Sequence, residues 1–406
     1  MKQFFLFLLS ISVSNVFSQI QTENITSQKL GDTRKVTVVL PENYNKKEQY
    51  PLLLVLDANR LLEPTVSSVR YFSRLGEVPP FIVVGVYNTA DDVTIPVETG
   101  VPFNDTANFF EFIGQELLPR MQSKYSLNAF QAIIGEGESG NFLNYYLLKE
   151  KSLFNAYISL SPSLVEKISE PLTEQLATFK TPIFYYLAWA ENDDNAKVRT
   201  IKGLDKLLKG KELASSYYFS NTFSGVSPSA VPPSGIPEAL NLFFEQYRPI
   251  SMREYAEKVL RVESNTTQYL EDKYKTIKDL YGIDKAPLLE DVKAIYAAIV
   301  KKADFESLPI LAKYIKPYYK DTALPDYLEG DYYLRTQDPK KAFRSLQRAY
   351  GSKEIDFVTK ELISQTLEKL QREAHGKLKG KKGEFQAPTS TPSEGENVQD
   401  TSNESK

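Results

Sequence analysis

The sequence contains no cysteine. That excludes disulfides, thiolate metal sites and cysteine nucleophiles. It also excludes a bacterial lipoprotein anchor, which needs a cysteine directly after its leader. An exported chain without disulfides must rely on its core, which suits a periplasmic or secreted bacterial protein better than a small extracellular scaffold. Histidine is nearly as scarce. The one His in 406 residues is His375, in a Lys- and Gly-rich run near the C-terminal end. No His-based metal site is available, and no imidazole precedes residue 375 to act as a general base. Neither sign of charge is in large excess: 49 Lys and Arg face 52 Asp and Glu, a formal net charge of −3. A nucleic-acid partner would need a basic stripe, and anionic lipid a basic face. No phosphate-cradling Gly loop with Lys-Ser/Thr occurs, and neither a cofactor nor a metal is expected.

Long apolar runs are also few. One follows Met1-Lys2-Gln3, from Phe4 to Val13, and Val16-Phe17-Ser18 then places small residues at the two positions that determine leader cleavage. This predicts a secretory signal over residues 1–18 with a cut after Ser18. The run is too short to span a bilayer comfortably. No later stretch is long and apolar enough, so no membrane span is expected after cleavage. The chain is expected to be exported, and to be periplasmic, extracellular or associated with the outer membrane.

What the sequence does have is a succession of short apolar runs. Val36–Leu40, Leu52–Leu56, Phe81–Val86, Ala132–Ile134, Ala156–Leu160 and Ile183–Leu187 read as strands. They are apolar on both faces, as in a mostly parallel sheet covered by helices on each side. Between them lie helical periods, such as the stripe Phe109, Phe110, Phe112, Ile113, Leu117 and Leu118. Alternating strand and helix predicts an α/β domain over residues 19–249. After Pro249 the strand-like runs stop, and helical periods fill a second domain over 250–375. Within it Gly330, Tyr333, Ala342, Leu346 and Ala349 fall at the spacings of a tetratricopeptide-type helix–turn–helix repeat. A plain helical bundle fits the same residues. From 376 to 406 the chain is polar and aperiodic and reads as a disordered tail.

The motifs of the first domain occur in a familiar order. Arg34-Lys35-Val36-Thr37-Val38-Val39-Leu40-Pro41 with Tyr44, then Tyr50-Pro51 leading to Leu56-Asp57, precede Glu116-Leu117-Leu118-Pro119 and Tyr125. Phe154 and Ser161-Pro162-Ser163-Leu164 follow. From about Lys29 to Tyr247 the chain resembles the esterase D-like family. That resemblance implies an α/β-hydrolase sheet with helices on both faces, and carboxylic-ester hydrolysis by a Ser-His-acid triad.

At the elbow the resemblance fails. The family pattern G-x-S-x-G-G, on a tight turn from strand to helix, aligns with Gly135-Glu136-Gly137-Glu138-Ser139-Gly140. Gly137 falls on the nucleophile and Ser139 comes two residues late. The position of the family's His falls on Pro228, within Gly225–Pro232, where no side chain accepts a proton near neutral pH. Ala188-Trp189-Ala190-Glu191 is similar to the segment carrying the acid member, which puts Glu191 there. The resemblance also implies an oxyanion hole from the amide of Glu138 and one near Ala58 or Asn59. Glu136 and Glu138 would set carboxylates beside it, against the charge it must stabilise; both side chains facing solvent is the bland reading. Asp193 and Asp194 add carboxylates near Glu191, for which capping and solvation are the ordinary roles. Trp189 suits stacking on a sugar or aryl ring, and suits a core equally well.

The expectation is therefore an exported esterase-like protein without activity, serving in binding or assembly at the bacterial envelope. Its partner would be an envelope protein or an ester- or glycan-like ligand. Two alternatives stand beside it: an active carboxylic-ester hydrolase using Ser139 with a base other than His, and a scaffold whose helical domain binds a protein partner.

Overall fold

The computed structural model describes residues 19–377, the last four by backbone alone. The expected signal segment, the side chain of His375 and all but the first two residues of the expected tail lie outside the described residues. The chain divides into two compact units between Tyr247 and Arg248.

The first unit is built on one sheet of eight strands: β1 (Ile20–Thr26), β2 (Thr33–Val39), β3 (Tyr50–Val55), β4 (Ile82–Val86), β5 (Leu127–Glu136), β6 (Ala156–Leu160), β7 (Ile183–Ala190) and β8 (Ser216–Phe223). Their order is β1-β2-β4-β3-β5-β6-β7-β8. β1 and β2 run antiparallel to their neighbours, and the rest pair in parallel. The central strands carry apolar residues on both faces because both are covered. Leu52 and Leu54 of β3 join Val84, Ile133 and Tyr157 in one core layer. Leu53 and Val55 point to the opposite face, where the helices Ala58–Arg74 and Val231–Phe243 pack on the sheet. The edge strands read differently. β1 buries only Ile25 and β8 only Ser216.

One buried ion pair pins the segment after β4. Asp92 accepts bonds from Arg34 Nη1 at 2.6 Å and Nη2 at 3.0 Å, and from the amide and hydroxyl of Thr89 at 2.6 and 2.8 Å. Arg34 and Asp92 are both buried. Removing one member of such a pair leaves the other charged and unpaired, which outweighs the modest worth of the intact pair. Asp92→Ala is expected to destabilise the first unit by about 3–5 kcal/mol, read from its denaturant midpoint.

The second unit is helical: Met252–Glu257, Thr266–Tyr281, Leu289–Lys302, Ser307–Tyr319, Leu324–Arg335, Pro339–Gly351 and Lys360–Lys377. Acids, the buried Asp331 and the half-buried Asp304 among them, tie neighbouring helices together. Asp331 accepts from Tyr296 Oη at 3.0 Å and Arg335 Nε at 2.8 Å, and Asp304 accepts from the amide and hydroxyl of Thr266. Leu324–Arg335 and Pro339–Gly351 form a tight hairpin in which Ala342, Leu346 and Ala349 are fully buried. A Cβ on Gly330 would stand 2.8 Å from both Cγ and Cδ2 of Leu346. Gly330→Ala gains up to about 1 kcal/mol of helix propensity but overpacks this crossing by about 1–3 kcal/mol. A net loss is expected in thermal unfolding, and Leu346→Ala in the same chain should cost less than the two changes sum to.

Candidate functional site

The elbow stands where β5 ends and the short helix Glu138–Phe142 begins. Gly137 between them has φ 60° and ψ −120°, a conformation that a residue with a side chain adopts only under strain. Gly135 is fixed by crowding. A Cβ there would lie 2.6 Å from the Ser139 carbonyl oxygen and 2.7 Å from its Oγ. At Gly137 there is room, since an added Cβ would meet only Ser163 Oγ, at 4.0 Å. The turn therefore has the shape that lifts a side chain out of the sheet, at a residue with none to lift.

Ser139 lies elsewhere. It is 1% exposed. Its Oγ accepts the amide of Glu136 at 2.9 Å, and its hydroxyl lies between the Glu136 carbonyl, at 3.0 Å, and the carboxylate of Asp57, to which it donates. Asp57 precedes the helix Ala58–Arg74 in a left-handed conformation, φ 49° and ψ 48°. Its amide donates to Asn88 Oδ1, and Asn88 Nδ2 returns a bond to its Oδ1, each at 2.7 Å. Ser139 thus braces the ends of β3, β4 and β5 against one another.

The expected triad positions are not brought onto Ser139. Glu191 is exposed just past β7, with its amide on Phe223 O at 3.0 Å. Pro228 opens a single turn of 3₁₀ helix, Pro228–Ala230. The neighbouring acids have ordinary work: Asp194 caps the helix Asn195–Lys209 by accepting from the amides of Ala196 and Lys197, and Asp193 lies 3.5 Å from Lys197 Nζ. Of the expected pocket residues, Ala58 is buried and Asn59 exposed, both in the first turn after Asp57. Trp189 is 2% exposed and packs in the core layer with Tyr185 and Leu187; its Nε1 has no hydrogen-bond partner among the described residues.

Glu136 and Glu138 flank Gly137 and neither side chain is free in solvent. Burial raises the Glu136 carboxyl above the usual range. The Arg60 charge opposes that rise and the Asp57 charge adds to it. Arg60 Nη2 lies 2.6 Å from Glu136 Oε2 without hydrogen-bond alignment, and Arg60 is too exposed for the pair to be strong. Burial likewise raises Glu138, against a bond from Ser163 and the Lys197 charge. Among the described residues no group of three or more His, Asp or Glu side chains could hold a metal, and no helix is long and apolar enough to cross a membrane.

Sequence reasoning passed over Asp57, Arg60, Asn88, Ser163 and Lys197 as members of this site. Asp57 was visible as the last residue of its motif. Ser163 stood in the Ser161–Leu164 motif, and Arg60, Asn88 and Lys197 carry no local signal.

This sheet order with a glycine-framed elbow after β5 defines an esterase-like α/β-hydrolase fold followed by an all-helical region. Residues 27–206 match the family described as "Putative esterase". An uncharacterised protein from Capnocytophaga ochracea DSM 7271, known as a crystal structure, is 37% identical over 87% of this chain and 100% of its own, with a TM-score of 0.83. The chain belongs to the same family as that protein. An IroE-like serine hydrolase from Shewanella oneidensis shares the fold at 19% identity and TM-score 0.57, over 74% of this chain and 99% of its own. The BES protein from Bacillus cereus does so at 20% and 0.50, over 56% and 95%. No curated protein matches.

Ser139→Ala strips a donor from Asp57 and an acceptor from the Glu136 amide. It is expected to cost about 1–3 kcal/mol, seen as a lower urea midpoint of the first unit.

Proposed function

We propose that this protein is an exported, catalytically inactive member of the esterase fold that acts by binding or assembly at the bacterial envelope. One observation carries the reading: the apex of the elbow is Gly137, with no side chain to attack an acyl carbon. Three others support it. No histidine precedes residue 375, so a hydroxyl at the elbow would have no imidazole to take its proton. Pro228 stands where that base is expected, and Glu191 is left with nothing to orient. Glu136 and Glu138 oppose negative charge beside the turn. The ligand is expected to be ester- or glycan-like, or the partner an envelope protein.

A second reading has one observation in its favour. Ser139 does have a carboxylate partner, Asp57, which is a candidate base for an active hydrolase. Its burial and its bond to the Glu136 amide weigh against it as a nucleophile. The helical unit supports a further role. The close packing of Gly330 on Leu346, with Ala342 and Ala349 buried beside it, suits a tetratricopeptide-type pair, as it also suits a plain helical bundle. A protein-binding scaffold is the reading that rests on it.

Assay of short aryl esters separates the first two readings. The purified protein is expected to hydrolyse them no faster than a denatured control. Turnover that vanishes in Ser139→Ala would overturn the inactive reading and promote the second. Gly137→Ser fits the space at the turn, yet is expected to stay inactive, since losing a triad member typically costs about four to six orders of magnitude in rate. Gly137→Ser with Pro228→His is expected to recover at most a trace. A competent Gly137→Ser enzyme would mean that a carboxylate such as Glu136, Glu138 or Glu191 acts as base.

A further inference from the structure

The helix Asn195–Lys209 carries five cations and one acid, in a chain whose net charge is −3. Its buried residues Val198, Ile201, Leu204 and Leu208 hold one face against β7 and β8. Arg199, Lys202, Lys206 and Lys209 recur at intervals of three, four and three, so they share the opposite face. All four are exposed. They form a row of roughly 15 Å along the helix axis.

The row is short of partners. Lys209 Nζ lies 2.9 Å from Asp205 Oδ2. Arg199, Lys202 and Lys206 have no ion pair among the described residues. The acids around them are engaged elsewhere. Asp205 also accepts from Tyr218 Oη at 2.7 Å, Glu174 on the adjoining helix Ser169–Thr178 pairs with Lys211, and Asp194 caps the helix. Glu170 on the adjoining helix and Glu212 beyond the helix end are exposed and pair with none of the four.

The shape of the row selects its partner. A small anion needs donors that converge, and these diverge from a convex surface. A row of cations instead matches an extended array of negative charge. Between Arg199 and Lys209 there is no aromatic ring to stack on a base and no Asn or Gln to read one. Leu207 flanks the row at 40% exposure. A Cβ on Gly203 would meet nothing within 4 Å, so the surface beside it is open. An exposed leucine among ammonium groups suits a headgroup layer.

We propose that this helix face docks the first unit on the surface of an anionic lipid bilayer, with Arg199, Lys202 and Lys206 on lipid phosphates and Leu207 at the headgroup level. Each cation held near such a surface multiplies partitioning by about fivefold, so three give about a hundredfold. The acids that balance the chain's net charge lie elsewhere, and salt screens them where they are more than about 10 Å away.

Cosedimentation of the purified protein with vesicles in about 0.1 M salt tests this. Vesicles of phosphatidylglycerol and phosphatidylcholine in equal parts are expected to bind about a hundredfold more strongly than phosphatidylcholine alone. About 1 M salt should release the protein. Lys202→Gln with Lys206→Gln should weaken partitioning about 25-fold. Lys313→Gln with Lys316→Gln makes the same change of net charge at exposed residues of the second unit, and should leave binding as it was. The proposal is overturned if both kinds of vesicle bind alike or not at all, or if the Lys202 and Lys206 variant binds as the parent does. It is also overturned if the Lys313 and Lys316 variant loses as much, or if a short DNA duplex binds more tightly than the anionic vesicles.

Discussion

The crossing of β5 into the elbow helix is the constraint on which the rest of the first unit depends. There the helix passes so close to the strand that no side chain fits at Gly135. That closeness brings Ser139 over the end of its own strand, where its hydroxyl meets the Glu136 amide and the Asp57 carboxylate. Asp57 continues the chain of bonds to Asn88 past the end of β4. Three strand ends are thus joined by short polar contacts, and the sheet's carboxyl edge is held in register by them. None of this involves the residue at the apex. The geometry of the turn and the identity of the side chain it would present are physically separate, which is why a glycine can occupy Gly137 while the turn persists.

The electrostatics around the apex point in one direction. Burial lifts both Glu136 and Glu138, and the nearby Asp57 lifts Glu136 further. Arg60 and Lys197 offset this only in part, and Arg60 is largely in solvent. Acyl transfer needs donors aimed at a developing oxyanion. The same surroundings accept hydrogen-bond donors well.

The helical unit rests on a different device. Its helices are joined by acids, the buried Asp291 and Asp331 and the half-buried Asp304, each satisfied by hydroxyl or backbone donors from another helix or segment. Such groups cost free energy unless every bond is made. They therefore fix which helices are neighbours more than they add stability. Small residues at Gly330, Ala342 and Ala349 then set how closely one hairpin closes.

The six central strands were legible because each is buried on both faces and so reads as a plain apolar run. β1 and β8 were not. They lie at the sheet's two edges, and in Ile20–Thr26 and Ser216–Phe223 polar residues cut the apolar runs too short for a run-length argument to select. The glycine spacing at the elbow was equally legible, as the turn demands it locally. What Ser139 does was not, for its partner Asp57 lies 82 residues away in sequence. Trp189 shows the same limit from the other side. Its composition allowed a stacking platform or a core, and only packing against Tyr185 and Leu187 made it core. The sequence by itself determined the class of sheet, the change to helices after Pro249, and the lack of any histidine before residue 375, because these depend on residue type and local period. The tertiary structure alone decided that Ser139 is a brace and that Asp193 and Asp194 serve Lys197 and a helix end. Those follow from which distant side chains meet, and no local pattern encodes that.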